Sequence, residues 1–288
     1  MSVHSKRTVN YDDPASYHLY YGDEVGSPGT ILTFFAWTSV PPLVVARGRR
    51  GIGQIAAVAF ATPVKSLDYW IDRFADRAVD FEAGERRFDE IVLSFHDPDG
   101  LPLEIVGRDD VAARSPWNEG PVSVDHALRA IAGAALCLEG YERTATLLRD
   151  PLGFRFVGEE TGRFRFESGE RGKTVRVDLI CQPDATTGRM GIGAVHHIAW
   201  RTADQTTQSH WHDTLASLGY DVTPIIDRHY FHSIYFREPG GILFEIATDP
   251  PGFTIDESVA ELGSSLKLPP WLEVRRARIE AKLPILRP

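Results

Sequence analysis

The sequence has little cysteine, no long apolar run and no signal sequence. Its only cysteines, Cys137 and Cys181, lie among apolar neighbours in a chain of 288 residues. This pattern is typical of buried free thiols in a reducing cytosol. No apolar stretch approaches membrane-spanning length, and the first residues contain no signal-peptide core. We therefore expect a soluble, cytoplasmic protein with no membrane partner.

The charge balance argues against nucleic acid as a partner. Asp and Glu outnumber Lys and Arg by 40 to 31, so the formal net charge is -9. Proteins that attract polyanions carry a basic patch or stripe, and none is present here. Hydrophobic residues make up 43% of the chain, which is enough for one large or two medium domains with real cores.

An internal repeat is the strongest feature of the sequence. Segments 94–105 and 235–246 align at an offset of 141 residues, and the preceding helices align at the same offset. The paired positions are Phe95 and Phe236, Pro98 and Pro239, Gly100 and Gly241, Glu104 and Glu245, Ile105 and Ile246, Trp70 and Trp211, and Asp72 and Asp213. The repeating unit is a strand, a helix and three further strands, and the chain contains four copies, the first incomplete. The pattern predicts an α+β protein of tandem βαβββ modules.

A histidine pair and a buried acid are the candidate chemistry of module four. Residues 195–200 are predicted to form a strand that carries His196 and His197, and Glu245 lies inside an apolar strand. An imidazole and a carboxylate are two thirds of the ligand set that holds Fe(II) in non-haem oxygenases. The structural alternative is a satisfied core histidine and a glutamate on the solvent face. An unpaired carboxylate is costly to bury, which favours a metal site.

The other modules lack this pair. Module two has Ala57 and module three has Ala135 at the position of His197, and module one has Phe34 at the position of Glu245. We therefore expect a complete site to take its third ligand from elsewhere. Glu104 has the strand context of Glu245 but faces Ala57 instead of a histidine, so we expect it to be structural.

The order of these motifs resembles the vicinal oxygen chelate superfamily, which includes glyoxalases, bleomycin-resistance proteins and extradiol dioxygenases. Segments 8–14, 17–35, 195–200 and 235–250 look most like the four-module ring-cleaving dioxygenases that act on hydroquinones. The resemblance implies modules paired into open cups. It also implies Fe(II)-dependent extradiol cleavage of a hydroquinone- or catechol-like diol by dioxygen, with Mn(II) as the alternative metal.

The resemblance assigns roles to individual residues. His197 and Glu245 match metal ligands, and His196 matches a histidine that supports them. Arg228 and Tyr235 match residues that line the substrate pocket and handle the substrate oxygen. Without the resemblance, Arg228 would be interpreted as a surface charge and Tyr235 as an ordinary strand aromatic.

One part of the family pattern has no counterpart. Met1 falls where the family's first helix should be ending, and the first strand, which carries the first metal-binding histidine, is absent. We expect either a truncated start or an incomplete site. An unpaired strand edge there would be a liability, and a homo-oligomer is one way to cover it.

Two further histidines are predicted to contact the substrate. His18 alternates with Tyr20 on a module-one strand that would line the cup. His232 lies near the pocket strand of module four. Both assignments depend on which face of the strand each side chain occupies.

The predicted domain division follows the modules. Residues 1–115 would hold the truncated module one and module two, with the boundary in the polar stretch before residue 122. Residues 116–250 would hold modules three and four with the metal site. Residues 251–288 would form a tail with a helix over residues 270–283.

Two alternative functions stay open at this point. A catalytically impaired paralogue would bind a small aromatic or a quinone in the same cup, as bleomycin-resistance proteins sequester a drug. A glyoxalase-like lyase would need metal ligands in both modules of a pair, which the sequence does not show.

Overall fold

The protein has the predicted α+β architecture. The computed structural model describes residues 6–37, 45–111, 116–117, 120–169 and 174–286. Module one contributes three strands: β1 (Lys6–Val9), β2 (Tyr17–Tyr21) and β3 (Leu32–Phe35). The first of these was not predicted, because its four residues lie in a polar stretch.

Modules two, three and four each follow the predicted strand–helix–three-strand order. Module two comprises β4 (Gln54–Thr62), α1 (Leu67–Asp76), β5 (Phe81–Arg87), β6 (Glu90–His96) and β7 (Pro102–Gly107). Module three comprises β8 (Ala130–Leu138), α2 (Glu142–Arg149), β9 (Arg155–Glu160), β10 (Arg163–Ser168) and β11 (Val175–Cys181). Module four comprises β12 (Ile198–Thr202), α3 (Gln205–Ser217), β13 (Ile226–Asp227), β14 (His232–Arg237) and β15 (Leu243–Thr248).

Modules two and three share one sheet. Its eight strands run in the order β5-β6-β7-β4-β8-β11-β10-β9, and β4 pairs antiparallel with β8 at the junction. Pairing therefore crosses the predicted boundary at residue 115, where residues 112–115 and 118–119 lie outside the described part of the chain. The division into domains at that boundary stays a prediction.

Modules one and four form the other half of the molecule. The strands of module one run in the order β1-β2-β3, and those of module four in the order β12-β15-β14-β13. Leu32 and Phe34 of β3 and Ile198 and Trp200 of β12 pack against the same hydrophobic core. The two modules therefore lie against each other, and the rings of Phe35 and Trp37 on the module-one side contact the ring of His196 on the module-four side.

Strand alternation sets which side chains of module four point away from this core. Ile234 and Phe236 of β14 are buried in the core. Successive strand residues point to opposite faces, so Ser233 and Tyr235 point away from that core. Tyr235 pairs directly with Glu245 in the antiparallel ladder between β14 and β15. A buried acid and two hydroxyls thus share one face of the sheet.

The C-terminal segment packs against module one. Leu268, Leu272 and Ile279 form a small core with Val9 of β1. The predicted helix over residues 270–283 is two short helices instead, α4 (Pro270–Glu273) and α5 (Arg276–Glu280). In the described part of the chain, no helix has the length and apolar character needed to cross a membrane.

Candidate metal and diol site

The imidazole of His197 and the carboxylate of Glu245 meet in module four. His197 Nε2 lies 2.8 Å from Glu245 Oε2. Strand β12 begins at Ile198, so the prediction of a strand over residues 195–200 was wrong at its start, and His196 and His197 lie in the segment that leads into it. Parallel pairing of β12 with β15 sets Ala199 beside Glu245, which brings the end of this segment next to the acid.

Glu245 is buried and ionised. Its exposed fraction is 3%. Ser233 Oγ and Tyr235 OH both donate to its Oε1, the latter at 3.0 Å. Burial favours the neutral acid, but the hydrogen bond and charge of His197, with the two hydroxyls, hold the pKa of Glu245 below its usual value. The same burial, together with the carboxylate charge, raises the pKa of Tyr235, which stays protonated and donates.

His196 bonds to the ring nitrogen of His197 that does not face Glu245. Their Nδ1 atoms share a hydrogen bond of 2.9 Å. Phe35 and Trp37 stack on one another, and both meet the His196 ring nearly at right angles, with centroid separations of 5.7 and 6.5 Å. Burial and the neighbouring His197 lower the pKa of His196 to about 4, so this imidazole is neutral at physiological pH.

His18 of module one lies on the opposite wall. Its Nδ1 is 2.9 Å from Tyr20 OH, its Nε2 is 3.0 Å from Thr33 Oγ1, and its ring packs on Phe35. Burial lowers the pKa of His18 to about 3, and the proximity of His197 adds to this effect. The structure therefore brings His18 into the space that faces the His197–Glu245 pair.

Arg228 joins the two modules at the rim. Its guanidinium lies over the ring of Tyr235, 5.4 Å from the centroid, and pairs with Asp12 of module one at 3.0 Å. The side chain is largely covered, with an exposed fraction of 17%. A cation is thereby held beside the hydroxyl that contacts Glu245.

His232 is not brought to this site. It is the first residue of β14 and shares the face of Ile234 and Phe236, opposite to that of Tyr235. Its main chain bonds to Thr248 and Gln208. Proximity in sequence to the pocket strand suggested a substrate contact, but the alternation of the strand turns the side chain away.

The donor set fits a divalent cation in part. The imidazole of His197 and the carboxylate of Glu245 converge, and both groups are ligand types that first-row metals prefer. Among the described residues there is no group of three or more His, Cys, Asp or Glu side chains that could hold a metal. Both ring nitrogens of His18 already have partners, and Nδ1 of His196 is bonded to His197.

The cup of modules two and three contains ion pairs in place of such a site. Both oxygens of Glu104, the counterpart of Glu245, lie 2.9 Å from Arg87 Nη1. Asp178, the counterpart in module three, receives two hydrogen bonds from Arg165 at 2.8 and 2.9 Å. The prediction that Glu104 is structural thus has a specific partner to explain it.

The strand register corrects one sequence alignment. Asp178 pairs with Ala135 as Glu245 pairs with Ala199, so Gly133 and not Ala135 occupies the position of His197 in module three. A Cβ atom on Gly133 would lie 2.0 Å from the carbonyl oxygen of Arg176. Any side chain there, including a histidine, is excluded by the backbone of the neighbouring strand.

Sequence reasoning missed several residues of the site. Ser233, Trp37, Thr33 and Asp12 had no assigned role. Ser233 could have been found, because it lies two residues before Tyr235 on the same strand and therefore on the same face. Asp12 offered no local signal, because its partner Arg228 is 216 residues away in the chain.

The comparisons with known proteins agree with this architecture. Residues 124–246 match the model of the Glyoxalase/Bleomycin resistance protein/Dioxygenase superfamily. The chain is 44% identical to "Putative ring-cleaving dioxygenase MhqO" of Bacillus subtilis (strain 168), over 96% of this chain and 86% of that protein. It is 36% identical to "Chlorohydroquinone/hydroquinone 1,2-dioxygenase" of Sphingobium indicum, over 93% of this chain and 84% of that protein.

Solved structures give the same result. The crystal structure of a "putative dioxygenase from Bacillus subtilis subsp. subtilis str. 168" superposes with a TM-score of 0.91 at 43% identity, covering 99% of this chain and 89% of that one. Glyoxalase I from Zea mays superposes with a TM-score of 0.60 at 15% identity, over 85% of this chain and 83% of that one, and shares the fold. The predicted resemblance is confirmed: the chain belongs to the Glyoxalase/Bleomycin resistance protein/Dioxygenase superfamily and is an enzyme of its dioxygenase branch.

Proposed function

We propose that this protein cleaves the ring of a hydroquinone- or catechol-like aromatic diol by the extradiol route, with Fe(II) held by His197 and Glu245. The observation that carries the proposal is the 2.8 Å approach of His197 Nε2 to an ionised, buried carboxylate. The relative from Sphingobium indicum, which is named for hydroquinone cleavage, supports the substrate class.

The metal would supply one place where the diol and dioxygen can bind side by side, which removes the barrier of bringing them together. The chain's own residues would do the rest. The hydrogen bond between the Nδ1 atoms of His196 and His197 orients the ligand imidazole. With His197 Nε2 on the metal, its Nδ1–H would donate to His196 Nδ1, so neutral His196 would carry its proton on Nε2 and could donate a hydrogen bond from there to a diol oxygen.

The other wall residues would bind and orient the aromatic ring. His18, Phe35 and Trp37 present ring faces and edges on the module-one side of the cup. The guanidinium of Arg228, held by Asp12 over Tyr235, would stabilise the negative charge of a diol that has lost a proton. We leave His232 out of this set because its side chain points to the other face of β14.

A second candidate function has one observation in its favour. Only two metal-binding side chains converge among the described residues, so a protein that binds a small aromatic or a quinone without turning it over would fit the same cup. For the lyase alternative, the likeness to maize glyoxalase I is at 15% identity and concerns the fold alone.

The test is anaerobic reconstitution with Fe(II), followed by metal analysis and by oxygen uptake with hydroquinone and catechol. We expect about one iron per chain, oxygen uptake that depends on the diol, and loss of both in Glu245→Ala. Glu82→Ala is the control, because this exposed acid of β5 in module two has no part in the proposed site and should leave both unchanged. Tight diol binding without iron or oxygen uptake would support the binding protein and overturn the dioxygenase proposal.

A further inference from the structure

The two oxygens of Glu245 have separate partners. Oε1 accepts from Ser233 Oγ and from Tyr235 OH, the latter at 3.0 Å. Oε2 faces His197 Nε2 at 2.8 Å. One oxygen is therefore occupied by hydroxyl donors, and the other points to the imidazole.

Ser233 is entirely enclosed. Its exposed fraction is 0%, and β14 places it on the face that it shares with Tyr235. A buried hydroxyl without a partner costs free energy, whereas a hydrogen bond to an ionised carboxylate is stronger than one between neutral groups. The packing thus favours a single arrangement in which this hydroxyl holds Oε1.

The repeat provides an internal comparison. At the offset of 141 residues, Val92 stands where Ser233 stands and Ser94 stands where Tyr235 stands. There the acid, Glu104, accepts hydrogen bonds from Arg87 Nη1 at both oxygens, each at 2.9 Å. Glu245, which faces a histidine, therefore has a serine and a tyrosine beside it. Glu104, which faces a guanidinium, lacks this pair. The repeat geometry alone therefore does not require Ser233.

We propose that Ser233 is a positioning residue that holds Oε1 of Glu245, so that this carboxylate binds a divalent first-row cation through Oε2 alone. The inference rests on the proposed metal site. A carboxylate that binds through one oxygen occupies one coordination position, whereas one that binds through both occupies two. The serine thereby keeps a position open for the diol or dioxygen.

The test uses Mn(II) affinity, measured by electron paramagnetic resonance, and the visible spectrum of bound Co(II), whose bands report coordination number. We expect Ser233→Ala to bind Mn(II) about 10- to 100-fold more weakly, as is usual when a residue that orients a metal ligand is removed. Its Co(II) bands should change because Oε1 then keeps only the hydrogen bond from Tyr235 and is freer to bind the cation as well. Ser233→Thr keeps the hydroxyl and should restore both signals, and Ser94→Ala, in module two, should leave them at the wild-type values.

The outcomes separate this inference from the proposed function. If the wild-type chain binds neither Mn(II) nor Co(II), the metal site itself is wrong and the inference falls with it. If the wild type binds both and Ser233→Ala keeps the wild-type Co(II) spectrum, the metal site stands and the role of Ser233 is refuted. If Ser233→Ala fails to fold, the isosteric variants Ser233→Thr and Ser233→Val are compared: Co(II) bands that change only in Ser233→Val would support the role, and equal bands in the two would refute it.

Discussion

Removing Arg165 should destabilise the cup of modules two and three severely. Its guanidinium donates to Asp178 at 2.8 and 2.9 Å and to Glu90 at 2.7 Å. Arg165, Asp178 and Glu90 are 2%, 5% and 4% exposed. Breaking a buried pair by removing one partner leaves an uncompensated charge and costs about 3–5 kcal/mol. We expect Arg165→Met to lower the free energy of unfolding at pH 7 by that amount, as measured by urea unfolding followed by circular dichroism and tryptophan fluorescence.

The pH dependence of this loss is a second readout. Burial raises the pKa of Asp178, but Arg165 and Arg163 outweigh it and hold this pKa below its usual value. The ionised Asp178 of the wild type therefore stabilises the fold above pH about 3.9 and loses that effect as the pH falls through its lower folded pKa. In Arg165→Met, one cation fewer opposes the effect of burial, so the pKa of Asp178 rises. The difference in unfolding free energy between the wild type and Arg165→Met should therefore shrink as the pH falls from 7 towards 5.

The matched control is Arg149→Met, which removes a surface partner of Asp150 and should leave the unfolding midpoint unchanged. If Arg165→Met costs no more than this control, or if its deficit grows as the pH falls, the buried ion pairs do not stabilise this cup as argued.

Two further predictions concern module one. Lys6→Met should lower the free energy of unfolding by about 3–5 kcal/mol, because Lys6 and its partner Glu257 are both buried and its second partner, Asp256, is partly exposed. Exposed Lys65→Met is the control in the same urea assay. The pKa of His18 is about 3 in the folded protein, against about 6.5 in the unfolded chain. As the pH falls below 6.5, the unfolded chain takes up a proton that the folded protein does not, so the free energy of unfolding should fall by about 2 kcal/mol at pH 5. His18→Phe should lack that loss between pH 7 and 5; an equal loss would refute the burial of a neutral His18.

Much of the site could be predicted from sequence because its signals are local. The offset of 141 residues identified the modules, and the apolar strand around Glu245 predicted a buried acid. Alternation with Tyr20 predicted that His18 lines the cup; its ring packs on Phe35, and its contact with substrate stays a prediction. His232 was placed wrongly by nearness in sequence, since the phase of β14 relative to Glu245 is set by its pairing with β15. The start of β12 was also missed, because apolar residues precede it.

The internal repeat thus determined the class of fold and the order of the modules, and the strand context of Glu245 together with the family resemblance predicted the acid and histidine that could hold a metal. The tertiary structure alone decided which modules share a sheet, because β4 and β8 pair through backbone groups that carry no sequence signal. It also decided which partners neutralise each acid: Arg87 reaches Glu104, whereas His197, Ser233 and Tyr235 surround Glu245. These contacts depend on strand register and on side-chain reach between strands, and neither property is a pattern along the chain.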